Sequence, residues 1–380
     1  GSQVMLRSEF DGQYTTNWER VLAKRTERMK SSIIRELLKF TMQPDLISFA
    51  GGMPAPELFP VRDFQEACRY VLEHDPERAL QYGQTEGHAP LKDYLIETMA
   101  KYEIPAKREN ILFTSGSQQA LDLLGRILID EGDKIITGRP TYLGAIQAWN
   151  VYAPQYVTVP LDDDGMRMDE LETALAANPG VKFIYILPNF HNPAGVTIPL
   201  ERRYKLVELA ARHGCLIIED DPYGQLRFEG EDICPVFAIH KENTVYLSTF
   251  SKTLSPGLRL GWMVGPEQLI AKLVQAKQGC DLHSSSLIQH IAYDIASRGL
   301  IRNHVRRIRQ VYRERRDTML RCLEEHFPAG ATWTRPQGGL FLWACLPPSM
   351  DAAELLKVAL EELREEAARN ARRCHGEVHV

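Results

Sequence analysis

Short apolar runs alternate with amphipathic segments from about residue 60 to residue 290, and this alternation limits the fold more than any other feature of the sequence. The runs have the length of strands, and the segments between them repeat apolar residues at helical spacing. Strand–helix alternation of this kind predicts a largely parallel sheet covered by helices. The predicted strands are 111–114, 134–137, 156–159, 183–187, 216–218, 245–248 and 260–264, and the clearest helices are 118–129, 169–177 and 200–213.

Two regions flank the alternating part. Before it, a helix-like polar stretch to about residue 41 with apolar residues at 33, 34, 37 and 38 leads into a short predicted strand at 46–50 and a Gly- and Pro-rich loop at 51–56. After it, one long helix is predicted over 301–327, and its arginine-rich face is interpreted as a solvated surface because glutamates interrupt it. A predicted hairpin with strands at 331–334 and 340–345 then indicates a second, smaller α+β unit.

Composition narrows the class of protein. The 380 residues suggest two or three domains with a large core, and 45 Lys+Arg against 50 Asp+Glu give a net charge of −5, which argues against nucleic acid as a partner. No apolar run approaches the roughly 20 residues of a membrane span, so we expect no membrane partner. The seven cysteines form no C-x-x-C pair, which favours a reducing compartment and a cytoplasmic location.

Ligands of parallel α/β sheets bind at the carboxyl ends of the strands, so functional side chains are expected directly after the predicted strands. The strand at 111–114 runs into Ser115-Gly116-Ser117, which opens an apolar helix. A helix start offers free N–H groups and a positive dipole end, which suit a phosphate, and glycine allows close backbone approach. The same residues also fit an ordinary helix start with Ser117 as the N-cap.

The strand at 183–187 is followed by His191 and Asn192, and Pro193 comes directly after them. An amide next to a proline is a rigidly held hydrogen-bond donor, although an Asn-Pro pair is also common in simple turns. His191 could act as a general base, but we interpret it as a loop residue beside the site.

Three acidic residues, Glu219, Asp220 and Asp221, follow directly on the apolar strand at 216–218. A buried carboxylate costs several kcal/mol unless it is paired, so at least one of the three should face a cation or a metal ion. A Mg²⁺ site is the competing interpretation, and against it the other predicted strand ends carry no further acidic cluster.

Lys252 lies just beyond the strand at 245–248, among small hydroxyl residues. A free lysine amine is almost fully protonated at neutral pH, so a nucleophilic lysine needs desolvation or a cationic neighbour. Arg259, seven residues further on, could supply that charge and could also clamp a phosphate. A surface lysine near a surface arginine is the simpler alternative.

The order of these features is more informative than any one of them. An anion-type helix start, a fixed asparagine, a buried aspartate near a tyrosine, and a lysine with a distal arginine lie at successive strand ends. The spacing is 28 residues from Asn192 to Asp220 and 32 residues from Asp220 to Lys252. A pyridoxal 5′-phosphate site requires such a set: an anion cradle, a partner for O3′, a carboxylate for the pyridine nitrogen and a Schiff-base lysine.

On these residues the chain resembles the fold-type I pyridoxal-phosphate-dependent aminotransferases of class I/II, over roughly residues 20–350. Within that family it is most similar to the 2-aminoadipate (LysN-like) and kynurenine aminotransferase branch, with aromatic and branched-chain enzymes as near neighbours. The motifs that carry the resemblance are SGSQQAL at 115–121, RPTYLG at 139–144, PNFHNPAG at 188–195, EDDPYG at 219–224 and TFSKTLSPGLRLGW at 249–262.

The resemblance implies catalytic roles for Lys252, which holds the cofactor and moves the substrate Cα proton, for Asp220, which pairs with pyridine N1, and for Tyr223. It implies that Gly52 and Asn192 line the substrate. The cofactor-binding residues that it implies are Ser117, Gln118, Tyr142, Asn192, Asp220, Tyr223, Thr249, Ser251, Lys252, Arg259 and Tyr82. Among these, Tyr142 stacks on the ring, Asn192 and Tyr223 donate to O3′, and Tyr82 reaches the phosphate of the neighbouring subunit.

The same resemblance implies an α/β fold with a mostly parallel seven-stranded sheet and a smaller α+β domain. The expected division is an N-terminal segment at 1–55 that joins the small domain, a large cofactor-binding domain at 56–295 and a C-terminal small domain at 296–380. It also implies a homodimer with shared sites, no metal, and amino transfer between an L-amino acid (2-aminoadipate, aromatic or branched-chain) and a 2-oxo acid such as 2-oxoglutarate.

The C-terminal part departs from the family pattern. The charged, alanine-rich stretch at 363–380 shows neither the expected small-domain strand nor the later strand whose arginine binds the substrate α-carboxylate. We therefore expect an incomplete small domain and assign the carboxylate-binding role to no residue. The alternatives are a β-lyase or decarboxylase on the same scaffold, a ligand-sensing domain, or a cofactor-binding protein whose catalysis is impaired by the tail.

Overall fold

The computed structural model describes residues 16–31, 49 and 51–362. Within them, one sheet contains all seven predicted strands and an eighth of two residues that follows a tight turn. Its strands are β1 (Ile111–Thr114), β2 (Lys134–Arg139), β3 (Gln155–Asp162), β4 (Gly165–Met166), β5 (Phe183–Ile186), β6 (Leu216–Asp220), β7 (Thr244–Thr249) and β8 (Gly261–Val264). The predicted fold class is confirmed, and the expected count of seven differs only by β4, which pairs antiparallel with β3.

The strand order across the sheet is β1-β8-β7-β6-β5-β2-β3-β4. Strands β2, β3, β5, β6 and β7 are parallel, whereas β8 runs antiparallel to both β1 and β7. Strand β1 therefore points the same way as β7. As a result, the carboxyl ends of β1, β2, β5, β6 and β7 and the start of β8 share one edge, although their motifs are far apart in the sequence.

Helices cover both faces of the sheet. They are α1 (Trp18–Val21), α2 (Val61–His74), α3 (Pro76–Leu80), α4 (Ala89–Ala100), α5 (Ser117–Leu128), α6 (Leu143–Asn150), α7 (Met168–Ala177), α8 (Leu200–His213), α9 (Val236–Ile239), α10 (Glu267–Gln278), α11 (Ser286–Ser297) and α12 (Leu300–His326), with a further helical segment at 352–362. The four predicted helices correspond to α5, α7, α8 and α12 within one residue at each end. Among the described residues, no helix combines the length and apolar character that crossing a bilayer requires.

The core follows the two-residue period of the strands. Phe113 on β1 and Trp262 on β8 pack beneath α2, α4 and α11, whereas Leu112 and Met263, one position away, pack beneath α5, α6 and α10. Because consecutive side chains of a strand point to opposite faces, each strand contributes to two cores. Because both faces of these strands are buried, their sequences are continuous apolar runs.

A smaller unit packs beside the sheet. Strands β9 (Thr332–Trp333) and β10 (Ala344–Cys345) form the predicted hairpin, but they pair over two residues only. On α12, the Tyr312 hydroxyl accepts a hydrogen bond from the Ala55 N–H at 3.2 Å, which fastens the predicted loop at 51–56. The predicted helix-like stretch to about residue 41 is described only over 16–31, where the chain forms the four-residue α1 and a 3₁₀ helix at Lys24–Arg28. Its later part and the predicted strand at 46–50, apart from Phe49, lie outside the described residues, as does the tail at 363–380. The three-part domain division stays a prediction.

Candidate cofactor and active site

The turn after β1 is shaped for close approach. Gly116 has φ +79°, a backbone conformation that favours glycine, and a Cβ built there would lie 2.5 Å from Nη2 of Arg259, so the arginine reaches close to this turn. Gly116 is the N-cap of α5, and because glycine has no side chain, no capping side chain occupies the N–H groups at the helix start. The alternative that Ser117 is an ordinary N-cap is wrong, since Ser117 is the first helical residue and its hydroxyl donates to the Ser248 carbonyl at 3.3 Å.

An aromatic ring is fixed beside this turn. Tyr142 precedes α6, and its hydroxyl lies 3.5 Å from Oε1 of Gln118, whose Nε2 donates to the Gly144 carbonyl at 2.7 Å. A Cβ at Gly144 would lie 2.5 Å from the Tyr142 hydroxyl, so glycine makes room for the ring. Burial raises the pKa of Tyr142, which keeps its hydroxyl neutral.

Asp220 is the last residue of β6, and only 2% of it is exposed. The Tyr185 hydroxyl donates to its Oδ2 at 2.7 Å, whereas its Oδ1 is buried without a hydrogen-bond partner. Burial raises the pKa of Asp220 to about 7 in the absence of a further donor. A buried carboxylate oxygen without a partner is costly, so this atom suits an incoming cationic N–H group.

The two flanking acids find donors within the protein. Glu219 accepts two backbone N–H groups at the start of α9, at 2.7 and 2.9 Å. Asp221 accepts hydrogen bonds from the Asn189 amide at 3.0 Å and the Tyr246 hydroxyl at 2.9 Å. The buried Arg203 guanidinium donates to Asn189 at 2.7 Å, and its positive charge counteracts the rise in pKa that burial causes at both Glu219 and Asp221. This agrees with the expectation that at least one of the three acids faces a cation.

Lys252 follows the end of β7. Burial and, to a smaller extent, the positive charge of Arg259 together lower the pKa of its amine to about 8. Its Nζ lies 5.9 Å from the centroid of the Tyr223 ring. The buried Thr249 and Ser251 shape this turn, since the Ser251 N–H donates to the Thr249 hydroxyl at 3.0 Å. The lysine is thus a partly desolvated amine next to a second cation, as a nucleophilic lysine requires.

Tyr223 connects the cofactor side of the site to the smaller unit. Its hydroxyl accepts a hydrogen bond from the Asn192 amide at 3.3 Å, and burial raises the pKa of that hydroxyl. The ring of Phe341 meets the Tyr223 ring edge-on at 5.6 Å between centroids. Gly52 lies against the same Phe341, because a Cβ at Gly52 would come within 2.2 Å of its Cζ. Gly52 and Asn192 are therefore brought to one place.

His191 lies in the loop after β5, and its contacts favour the loop interpretation. Its Nδ1 accepts the Ala194 N–H at 3.2 Å, and burial lowers its pKa to about 4. The imidazole is therefore neutral and shapes the turn that carries Asn192.

Tyr82 is the one predicted site residue that stands apart from this group. It is 79% exposed, and within the described chain its ring meets His283 edge-on at 5.9 Å between centroids. Its predicted contact with a neighbouring subunit stays a prediction.

Sequence reasoning missed Tyr185 and Phe341. A signal for Tyr185 did exist, since it carries the only hydroxyl in the apolar run Phe183–Ile186 and lies on the strand next to that of Asp220. For Phe341 the sequence offers none, because its contact with Tyr223 joins residues that are more than 100 positions apart.

The chain is similar in sequence and fold to known aminotransferases. A family model described as aminotransferase class I and II matches residues 50–375, and the chain belongs to that family. An aromatic-amino-acid aminotransferase from Thermococcus litoralis is 46% identical over 91% of this chain and 84% of its own length, and a 2-aminoadipate transaminase from Thermus thermophilus is 41% identical over 91% and 86%. The crystal structure of a kynurenine aminotransferase from Pyrococcus horikoshii is 42% identical, covers 91% of this chain and 87% of its own, and superimposes with a TM-score of 0.87.

The cofactor of this enzyme family is pyridoxal 5′-phosphate, and the residues present fit it. The unpartnered Oδ1 of Asp220 suits the pyridine N–H, and the uncapped start of α5 beside Gly116 and Arg259 suits the phosphate. Lys252, with its lowered pKa, suits the aldehyde carbon. The expected cofactor and enzyme class are therefore confirmed.

Proposed function

We propose that this aminotransferase moves an amino group from 2-aminoadipate, an aromatic or a branched-chain L-amino acid to a 2-oxo acid such as 2-oxoglutarate. The observation that carries the proposal is that two groups lie at the same sheet edge. One is Lys252, whose pKa is about 8, and the other is the buried Oδ1 of Asp220, which has no hydrogen-bond partner. The names of the two relatives above support aromatic substrates and 2-aminoadipate as donors.

The residues at the two ends of the site would hold the cofactor by complementary charges. Asp220 would pair with the pyridine nitrogen, Tyr142 would pack against the ring, and Asn192 and Tyr223 would donate to O3′. The residues that would bind the phosphate are Ser117, Gln118, Thr249, Ser251 and Arg259. The opposite charges of Asp220 and Arg259 would thus fix the direction of the cofactor.

When bound, the cofactor supplies a carbonyl that condenses with amino groups and a protonated ring that withdraws electrons from the substrate Cα. Lys252 acts as the base that removes the Cα proton and as the acid that returns it. A pKa of about 8 leaves both forms of the amine populated near neutral pH, as proton shuttling requires. Asp220 stays ionised in the complex because the ring N–H partners its Oδ1.

The substrate lies between the loop of Gly52 and the turn of Asn192. Phe341 closes this space, since it touches Gly52 and meets the Tyr223 ring. An aromatic wall of this kind favours an apolar or aromatic substrate side chain. No described residue is assigned to the substrate α-carboxylate.

We further propose a homodimer in the cytoplasm, in which Tyr82 completes the phosphate site of the partner subunit. The exposure of Tyr82 and the neighbouring Leu80, which is 66% exposed, supports burial in an interface.

A half-reaction assay tests the proposal. The loaded enzyme is mixed with 2-aminoadipate, kynurenine, leucine or glutamate without an acceptor, and the 2-oxo acid formed per subunit is measured. We expect one equivalent from the preferred donors. Lys252→Ala should give none, whereas Lys272→Ala, on the exposed side of α10, should behave as the unmodified enzyme does. Turnover by purified Lys252→Ala protein, or release of ammonia or CO₂ in place of the 2-oxo acid, would contradict it.

A further inference from the structure

An ion pair between the buried Lys277 and the partly exposed Asp281 lies directly behind the turn 115–117. Lys277, at the end of α10, is 0% exposed, and its Nζ donates to Asp281 at 2.8 Å (Oδ1) and 3.0 Å (Oδ2). Lysine normally extends its amine to water, and burying it is costly unless the geometry of the pair is good. None of the roles derived above accounts for this pair.

Lys277 and Asp281 are connected to the turn 115–117 through Gln119. The Gln119 Oε1 accepts both the Lys277 ammonium at 2.7 Å and the Ser115 backbone N–H at 2.8 Å, while its Nε2 donates to Asp281 at 2.6 Å. The Ser115 hydroxyl also donates to Asp281 at 3.0 Å. Backbone and side chain of Ser115, the residue before Gly116, are thereby fixed by the same two charges.

The residues after Asp281 continue to the exposed segment of Tyr82. The Nδ1 of His283 faces the Ser284 carbonyl at 2.7 Å, so it carries the proton, and its Nε2 accepts the Gly83 N–H at 3.2 Å. The segment 281–283 therefore contacts the turn 115–117 through Asp281 and the residue after Tyr82 through His283.

The packing of α10 against α5 does not by itself require the hydrogen bonds that Lys277 and Asp281 make to Gln119 and Ser115. Arg298 and Asp294 form a comparable pair on α11, with a 3.0 Å contact, yet it touches no turn of the site. What distinguishes Lys277 and Asp281 is that their bonds end on Ser115, next to the backbone N–H groups that open α5.

We propose that Lys277 and Asp281 are positioning residues for the cofactor phosphate, a role that rests on the proposed placement of that phosphate at the turn 115–117. They do not touch the phosphate. They hold the Ser115 backbone so that the start of α5 and Arg259 converge on one point, which removes the ordering cost that binding would otherwise bear.

The test compares two probes on the cofactor-free protein: pyridoxal 5′-phosphate, and pyridoxal, which lacks the phosphate. Asp281→Asn and Lys277→Met should raise the dissociation constant of the phosphorylated probe about 10-fold, from the loss of one charge-assisted contact, and leave that of pyridoxal within about twofold. Asp294→Asn is the matched control and should change neither constant. Ser115→Ala removes one contact without exposing a buried charge, so it serves if a charge variant fails to fold, and it should raise the first constant about threefold.

Equal weakening of both probes would show a general structural role and overturn the inference, as would unchanged binding of the phosphorylated probe in Asp281→Asn or Ser115→Ala protein. A failure of the proposed phosphate placement is recognisable separately. In that case the unmodified protein itself would bind pyridoxal as tightly as the phosphorylated probe.

Discussion

Replacement of Tyr185 by phenylalanine removes one hydroxyl and otherwise conserves the side chain. That hydroxyl donates at 2.7 Å to Oδ2 of Asp220, and it is the one protein hydrogen bond this carboxylate receives among the described residues. A hydrogen bond to a charged group contributes about 1.5–3 kcal/mol. Its loss destabilises the ionised form, so the pKa of Asp220 rises above its value of about 7. The more basic carboxylate would compete for the proton of the ring nitrogen, which would be protonated less of the time.

The hydrogen bond from Tyr185 helps Asp220 to stabilise the negative charge that develops when Lys252 removes the substrate Cα proton. If all of that stabilisation is lost in the transition state, the single-turnover rate of 2-oxo acid formation falls about 10- to 150-fold. Deuterium at the substrate Cα should then slow the variant more than the unmodified enzyme, because proton removal limits its rate.

Tyr246→Phe is the matched control. Its hydroxyl donates at 2.9 Å to Asp221, a neighbouring buried carboxylate that keeps other donors and has no assigned role toward the cofactor. This variant should lose about 1.5–3 kcal/mol in free energy of unfolding and keep its half-reaction rate. A normal rate in Tyr185→Phe, or an equal loss in both variants, would refute the reasoning.

Three further predictions concern the charges and the turn. Because a lysine amine is neutral above its pKa, acetylation of Lys252 in the cofactor-free protein should accelerate between about pH 7 and pH 9, and Arg259→Met should move that midpoint upward, as peptide mass mapping would show; a midpoint near that of exposed lysines would contradict this. Gly116→Ala should lower the free energy of unfolding by about 1–3 kcal/mol and weaken cofactor binding, whereas Gly132→Ala, with φ +87° and open space around it, should leave cofactor binding unchanged. The pKa of Asp220 is raised by folding, so the cofactor-free protein should lose stability as pH rises from about 4 to about 7. Asp220→Asn should lack that part of the fall in melting temperature, and equal falls in both proteins would speak against it.

The sequence predicted the large sheet almost residue by residue because local and global preferences agree there. Strand β1 has three consecutive apolar residues before Thr114, and both of its faces are buried beneath helices. Helix α8 was predicted over the range that it occupies, since its apolar residues repeat at helical spacing and Gly214 ends it in the left-handed conformation. Strands β2, β3 and β6 run two or three residues beyond their predicted ends, and the other predicted strands of the large sheet differ by at most one residue at each end.

The chemistry of the site was predicted where it is carried by motifs, and missed where it depends on distant contacts. Lys252 and Asp220 stand at strand ends, where parallel topology brings chemistry together. Tyr185, Phe341 and the buried Lys277 acquire their surroundings only from neighbouring strands and loops. In the sequence, Lys277 cannot be told apart from a surface lysine of a helix, because its burial depends on packing that the sequence pattern does not show.

Transfer of ¹⁵N from labelled 2-aminoadipate to 2-oxoglutarate tests the central claim most directly. The unmodified enzyme should move the label into glutamate in equal amount to the 2-oxo acid formed, and Lys252→Ala should move none. Label recovered as free ammonia, release of CO₂, or labelled glutamate formed by the Lys252 variant would contradict an aminotransferase that acts through this lysine.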